Sequence, residues 1–362
     1  MKGPGIAPIL RMPNGIMNVF EINPLVDPRW DGLAATHARG SVFHSRGWIE
    51  ALHRTYGYTP VALTSSAPGE DLKNAILFCR VESWLTGRRL VSLPFSDHCD
   101  PLVDRFEDLK LFEAALDQQI RDRRMRYAEI RPHSSFLNPG EFFHSHGSFC
   151  FHELDLSPGA DALFRGFHKD STQRRIRKAE REGLQVEEGR SDSLRDQFYQ
   201  LLLLTRRRHG LPPQPRAWFG NLIDCLGESL TIRVASKDGQ PAAAILTLRF
   251  GETVTYKYGC SDPQYSNLGA TQLLFWRTIQ ESCSKGMKRF DLGRSDSDNP
   301  GLVTFKDRWG AERLTLTYLR HPMPRDSIRG RGWGAPMMRF FCAHAPDRLL
   351  SGAGDLFYRH VG

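Results

Sequence analysis

The sequence predicts an α/β (α+β) chain made of two similar domains. Each is expected to be a mixed, mostly antiparallel sheet flanked by helices, with a short C-terminal helical tail. Three observations predict it. The chain has 362 residues, enough for two domains at ~100–200 residues each. Short apolar runs bounded by Asp, Gly and Pro alternate with longer helix-like stretches. The order of these elements occurs twice.

In the first half, strand-like runs at Val61–Thr64, Ala75–Val81 and Arg88–Leu93 precede the loop Pro94–Pro101 (PFSDHCDP). In the second half, runs at Ile232–Ala235, Ala242–Phe250 and Thr253–Tyr258 precede Gly259–Pro263 (GCSDP). The polar turns Ser65–Asp71 and Lys237–Gly239 join the first two strands of each meander. A helix-like stretch and a further strand follow in both: Glu107–Ile120 with Tyr127–Arg131, and Ala270–Lys285 with Arg289–Leu292. The expected division is a leader over 1–17, domains over 18–152 and 153–322, and a linker with helical tail over 323–362.

Between the halves lies the charged block His168–Gly183. As one helix ending at Gly183, it puts Arg174, Arg177 or Lys178, and Arg181 on one face, and Ile176 and Ala179 on another. A second helix is expected over Ser193–His209, with the stripe Leu194, Phe198, Leu201 and Leu202. The Pro-rich loop Gly210–Arg216 follows. Arg320–Gly334 reads as a linker. Ala335–Leu350 reads as a packed helix or, less commonly for such a pattern, a membrane-surface helix.

Composition excludes several classes. The chain is 40% hydrophobic and 25% charged, and no apolar run approaches the ~18–20 residues of a membrane span. The N-terminus lacks a signal-peptide pattern. Seven cysteines are scattered without a CxxC pair, which argues against a disulfide framework or zinc ribbon and for the cytoplasm. A formal charge of +8 favours anionic partners: a phosphorylated or nucleotide-linked acceptor, tRNA, or the inner face of a membrane. No metal site is expected. Asp296 and Asp298 lack a closing Glu, and Asp97–Asp100 has no second cluster. A GxSxG elbow is absent.

Chemistry concentrates in the second half. Tyr256–Trp276 reads as strand, loop and helix, with Gly269 just before a helix N-terminus that can hold a phosphate or an oxyanion. Next come Lys288–Ser295 (KRFDLGRS) and Pro300–Ala311 (PGLVTFKDRWGA). With Arg174–Gly183 (RRIRKAEREG) and Thr205–Pro215 (TRRRHGLPPQP), these segments resemble the GNAT acyltransferase superfamily, in its FemAB-like branch that builds amide bonds on cell-envelope precursors. The resemblance runs from about Leu163 to Leu319.

It implies tandem GNAT-like domains and N-acyl transfer to an amine of a cell-envelope or exopolysaccharide precursor, with acyl-CoA or acetyl-CoA as donor. One alternative is transfer from aminoacyl-tRNA to a peptidoglycan precursor; another is a non-catalytic GNAT-like binding protein. By matching the FK motif, Lys306 is the expected oxyanion stabiliser. Phe305 and Trp309 are expected to pack. Asp291, Asp262 and Tyr258 are candidates at the strand ends, beside a mechanism with no protein base. Tyr256 and Tyr258 are expected to point one way and Lys257 the other. Asn267, Leu268, Gly269 and Ala270 are the expected donor-carrier loop. Arg174, Arg175, Arg177, Lys178 and Arg294 are expected to contact substrate. Asn267 stands where the CoA-binding pattern has its first glycine, and no long coiled-coil hairpin of the tRNA-dependent enzymes is present.

Overall fold

The computed structural model describes residues 8–11, 18–133, 142–323 and 342–362. They divide into two compact units. The first holds the described residues up to Ser148, with 316–323 and Tyr358–Gly362; the second holds 149–315 and the described part of 330–357.

In the first unit the strands are β1 (Pro8–Arg11), β2 (Asn18–Ile22), β3 (Thr59–Thr64), β4 (Ile76–Ser83), β5 (Gly87–Ser92) and β6 (Ala128–Ile130). They pair in that order, antiparallel from β1 to β5. β5 and β6 are parallel over three residue pairs, Leu90–Ala128 to Ser92–Ile130. The end of β13 (Glu312–His321) pairs antiparallel with β6. Helices α1 (Trp30–Thr36), α2 (Arg46–Tyr56) and α3 (Lys110–Asp122) flank the sheet. The α3 stripe Phe112, Ala115, Leu116 and Ile120 packs on Val61, Leu63, Ile76, Phe78 and Leu90. Buried Arg89 donates to the carbonyl oxygens of His360 and Gly362, and Tyr58 donates to the carbonyl of Tyr358 at 2.9 Å.

The second unit repeats the plan. From β7 (His144–Asp155), it orders its strands β7-β12-β11-β10-β9-β8. These are β8 (Gln185–Gly189), β9 (Leu230–Lys237), β10 (Gln240–Phe250), β11 (Thr253–Ser261) and β12 (Arg289–Ser295). β8 to β11 run antiparallel, β11 and β12 are parallel over Thr253–Thr255, and β12 and β7 are antiparallel. The helices are α4 (Ala160–Gly166), α5 (Arg174–Arg181), α6 (Asp192–His209), α7 (Arg216–Leu226), α8 (Ala270–Ser284) and α9 (Pro300–Asp307). One core is formed by α8 residues Leu273, Leu274, Phe275 and Ile279 with Ile245, Phe290 and Trp309. In each unit an antiparallel meander leads through a helix to one short parallel pair, as the repeated order of elements predicts.

Four local expectations need correction. The block His168–Gly183 is helical from Lys169 to Arg181 but not α-helical throughout: its first turn, Lys169–Gln173, is a π-turn. Polar side chains of that turn bond backbone elsewhere. Gln173 donates to the Phe167 carbonyl at 2.8 Å, and Thr172 to that of Arg308 at 3.2 Å. The stretch before α3 is also not yet α-helix, because Phe106–Leu109 forms a 3₁₀ turn. Arg320 and His321 belong to β13, not a linker; Arg320 pairs with buried Glu129 at 2.6 Å. The rest of that segment from residue 324, and 335–341 of the expected tail helix, lie outside the described residues. The tail helix that is described, α10, spans Asp347–Val361, further along than expected.

Candidate functional site

β11 and β12 are hydrogen-bonded only as far as Thr255 and Asp291, and then part. Each strand carries a bulge just past that point. In β11, Leu246 faces Tyr258 and Thr247 faces Tyr256, so Lys257 is the extra residue. In β12, Asp291 faces Glu153 and Arg294 faces Phe151, which leaves one extra residue around Gly293, itself at φ +71°. Bulges bend strands and add twist, so both irregularities hold the gap open. On the β11 side lies a cleft of about 310 Å³, lined by residues of α5, α6, β10, β11, the β11–α8 loop, α8 and α9, with none from β12.

The bulge overturns the expected parity of the tyrosines. Inserting Lys257 reverses the side-chain alternation, so Tyr256 and Tyr258 lie on opposite faces. Tyr256 packs on Phe275 of α8, with ring centroids 4.7 Å apart, and lines the cleft. Its hydroxyl lies over Gly259, where a Cβ would come within 2.0 Å of it. Tyr258 instead packs on Phe219 of α7, and its hydroxyl accepts from Trp218 Nε1 at 2.9 Å.

Asp291 is buried where the strands part. Its carboxylate accepts from the Gly293 N–H at 2.6 Å and the Thr255 hydroxyl at 3.3 Å. It therefore fixes the bulge and is not among the cleft-lining residues. Lys306 sits on α9, buried to 2% exposure. Its Nζ donates to the Gly293 carbonyl at 2.7 Å and to that of Arg294 at 3.0 Å. Its neighbours Phe305 and Leu302 line the cleft. Phe305 and Trp309 pack against the core, as expected. His152 of β7 accompanies α9: its Nε2 lies 3.0 Å from Asp307 Oδ1, and Asp307 also pairs with Arg313. Burial pushes the His152 imidazole pKa down.

At the mouth of the cleft the α8 N-terminus begins on Gly269, in the left-handed region at φ +79°. The N–H groups of Gln264, Tyr265, Ser266 and Leu268 are used within the loop. Those at the start of α8, from Ala270 to Gln272, face the cleft end as a partial positive charge. Asn267 is exposed and Leu268 packs against the core; neither they nor Gly269 are among the cleft-lining residues. A Cβ on Gly269 would meet the Arg175 carbonyl at 2.4 Å, so α5 lies directly against this turn.

Of the expected substrate contacts, only Arg175 reaches the cleft, donating to the Ser266 carbonyl at 3.0 Å. Arg174 pairs with Asp170 at 3.7 Å and Arg177 lies over the Phe164 ring at 5.4 Å. Lys178 does not line the cleft, and Arg294 stacks on Phe149 at 4.2 Å. The residues missed in the sequence are Arg208 and His209, which bring basic groups to the cleft from the end of α6. Their place is fixed by Thr205, one turn earlier, which accepts from the Ser261 N–H at 3.0 Å. The run of basic residues closing α6 was the available signal. Burial, with Arg208 and Arg206 nearby, pushes the His209 pKa below its ordinary 6.5. A cleft with a helix N-terminus and two arginines can hold a phosphate or pyrophosphate, so a CoA-type carrier fits these residues.

The corresponding loop of the first unit is crossed by an arginine. Arg131 donates to the carbonyls of Leu93 at 2.7 Å and Ser96 at 3.2 Å, and pairs with Glu129 at 2.8 Å. Tyr318 donates to the Asp97 carbonyl at 2.6 Å. Among the described residues, no cluster of three or more His, Cys, Asp or Glu suits a metal ion, and no helix is long and apolar enough to cross a membrane.

Comparison with known proteins agrees with this geometry. The family model described as an acetyltransferase (GNAT) domain matches residues 167–307. UDP-N-acetylmuramoylpentapeptide-lysine N(6)-alanyltransferase of Weissella viridescens is 25% identical over 157 residues, 42% of this chain and 46% of that protein. The match thus spans about half the length of that curated relative. Among solved structures, FemX superposes with a TM-score of 0.64 at 14% identity, over 82% of this chain and 96% of the other. A tandem GNAT protein from the clavulanic acid biosynthesis pathway gives 0.54 at 12% identity, over 86% and 100%. At such identities the structural likeness establishes the fold. Residues 167–307 match the acetyltransferase (GNAT) domain model, within a fold similar to those of FemX and a tandem GNAT protein.

Proposed function

We propose that the chain is an N-acyltransferase that joins an acyl group to an amine of a cell-envelope or exopolysaccharide precursor in the cytoplasm, with acyl-CoA or acetyl-CoA as donor. The observation that carries this reading is the cleft beside the end of the β11–β12 pairing, with the first residues of α8 in its lining. The amides of Ala270 to Gln272, with Arg175 and Arg208 beside them, suit the pyrophosphate of the donor. Arg175 and Arg208 also suit an anionic or nucleotide-linked acceptor. The acceptor nitrogen attacks the acyl carbonyl, the new C–N bond forms, and the carrier leaves with the electrons of the bond that breaks. His209 is held neutral near pH 7 by its lowered pKa, so it can take the proton that the amine loses. Lys306 is assigned to the oxyanion as the lysine that follows cleft-lining Phe305; its Nζ also holds the β12 bulge, and it is not itself among the cleft-lining residues. Asp291 and Tyr258 support the two bulges rather than the reaction. The first unit serves the acceptor or the scaffold, since Arg131 fills its equivalent loop.

Transfer from aminoacyl-tRNA to a peptidoglycan precursor is the second reading. The Weissella viridescens alanyltransferase favours it. Thermal unfolding of the pure chain with excess CoA separates the two. A ligand at 100 times its dissociation constant stabilises by ~2.7 kcal/mol, an upward shift on the order of a few degrees. Such a shift supports the acyl-CoA donor. An unchanged midpoint at millimolar CoA removes that donor and leaves charged tRNA to be tested.

A further inference from the structure

The turn joining β4 and β5 leaves two large apolar side chains in water. Trp84 is 82% exposed and Leu85 59% exposed. The turn itself is firmly built: Ser83 Oγ accepts from the N–H groups of Leu85 at 3.1 Å and Thr86 at 2.9 Å. Its base is held by His360, whose Nδ1 lies 3.0 Å from Ser83 Oγ and whose carbonyl accepts from the Thr86 hydroxyl at 2.7 Å. The His360 ring also meets the Trp84 ring edge-on at 5.4 Å. The tip is thus a rigid, convex apolar point.

Topology gathers cations around it. Because β5 and β6 are parallel, the turn that enters β6 lies at the same end of the sheet. Arg126 of that turn donates to the Thr86 carbonyl at 3.0 Å, and its backbone N–H to that of Arg88 at 2.8 Å. Arg88, Arg124, Arg126 and Arg359 are all exposed. Glu82 and Asp122, with Asp355 one turn before Arg359 on α10, are exposed carboxylates on the adjoining segments, and Glu82 lies 4.0 Å from Arg88.

From this we infer that the β4–β5 tip of the first unit is a docking element for an anionic lipid bilayer. Trp and Leu enter the interface while the arginines meet lipid phosphates. Two side chains on a convex point offer far too little area for a stable protein interface, which needs about 800 Å² per partner. A nucleic acid would use the arginines and the Trp face but would gain little from Leu85 beside it. The lipid interface uses all of them, and the basic surplus selects anionic headgroups.

The test is flotation of the full chain with vesicles of phosphatidylcholine alone and with about one third phosphatidylglycerol. Binding is expected only to the anionic vesicles, and raised salt is expected to weaken it. Trp84→Ala with Leu85→Ala should lower that binding about tenfold or more, and Trp84→Phe should restore part of it. Arg359→Glu, at an exposed position beside His360 but outside the β4–β5 turn itself, should weaken it as well and serves should the double variant fail to fold. Equal binding to both vesicle types, or anionic binding unchanged in the folded double variant and in Arg359→Glu, overturns the inference. So does a result in which the variants lose binding to tRNA while keeping vesicle binding.

Discussion

Lys306 has two duties that one substitution can separate. It satisfies two carbonyls of a bulged strand, and its proposed second duty is at the oxyanion. Lys306→Ala should cost about 3 kcal/mol of stability, because both carbonyls lose a buried donor. It should also lower turnover more than acceptor binding. Chemical denaturation paired with steady-state kinetics checks this; turnover unchanged in the folded variant would remove the residue from the reaction. His209 gives a pH prediction. Its pKa is pushed below 6.5, so the proton-accepting form persists at pH 7 and the acid limb of kcat/KM should fall below pH 6.5. His209→Gln should flatten that limb and lower the rate; a profile identical to the parent would sink its role as base. As a candidate, Lys306 was legible because a lysine in an FK segment has a type and a place in sequence. His209 was not, because only the packing of α6 on β11 brings that end of the helix to the cleft.

At the scale of elements, the junction of the β11–α8 loop with α5 is the most exacting contact of the site. Gly269 combines a left-handed φ with a backbone carbonyl 2.4 Å from where a Cβ would stand. Gly269→Ala should therefore destabilise by about 2 kcal/mol or more, from the left-handed geometry and the clash together. It should also abolish any stabilisation by CoA, since the helix start must move. A normal melting midpoint with intact CoA response would show that the turn relaxes freely. The glycine could be read from the sequence as the residue before a helix. The reason only glycine fits could not, since Arg175 arrives from far along the chain. The same holds for the bulges. A period-2 reading placed Tyr256 and Tyr258 together, and one inserted residue in β11 reversed that.

For the molecule as a whole, buried histidines set the response to acid. His44 of the first unit is fully enclosed; its Nε2 lies 2.9 Å from the Asp100 carbonyl and its Nδ1 accepts from the Ser41 N–H. Burial pushes its pKa down to about 4 from 6.5. The folded state thus binds fewer protons than the unfolded chain between those values. Its contribution is present above pH 6.5 and is lost as pH falls through about 4, a total near 3 kcal/mol. His37, His146, His152 and His209 shift in the same direction, which steepens the loss. Melting midpoints measured from pH 8 to 4 should fall most below pH 6.5, and His44→Gln should reduce the slope. A midpoint flat across that range would contradict the enclosure of His44.

The sequence by itself determined the duplicated α/β plan, the strand and helix order, the glycine before α8 and the FK segment of α9. Each of these depends on short-range pattern: apolar periodicity, turn residues, and breakers within a few positions. Tertiary structure alone decided which side chains share the cleft. It turned Tyr258 and Asp291 to structural duties, kept Arg175 out of the basic run, and brought Arg208 and His209 in. It also gave the expected helix a π-type first turn, where Thr172 and Gln173 found backbone partners at Arg308 and Phe167. The physical reason is common to all of these. Bulges, buried hydrogen bonds and helix packing join residues far apart in the chain, and no local pattern encodes the partner that will arrive.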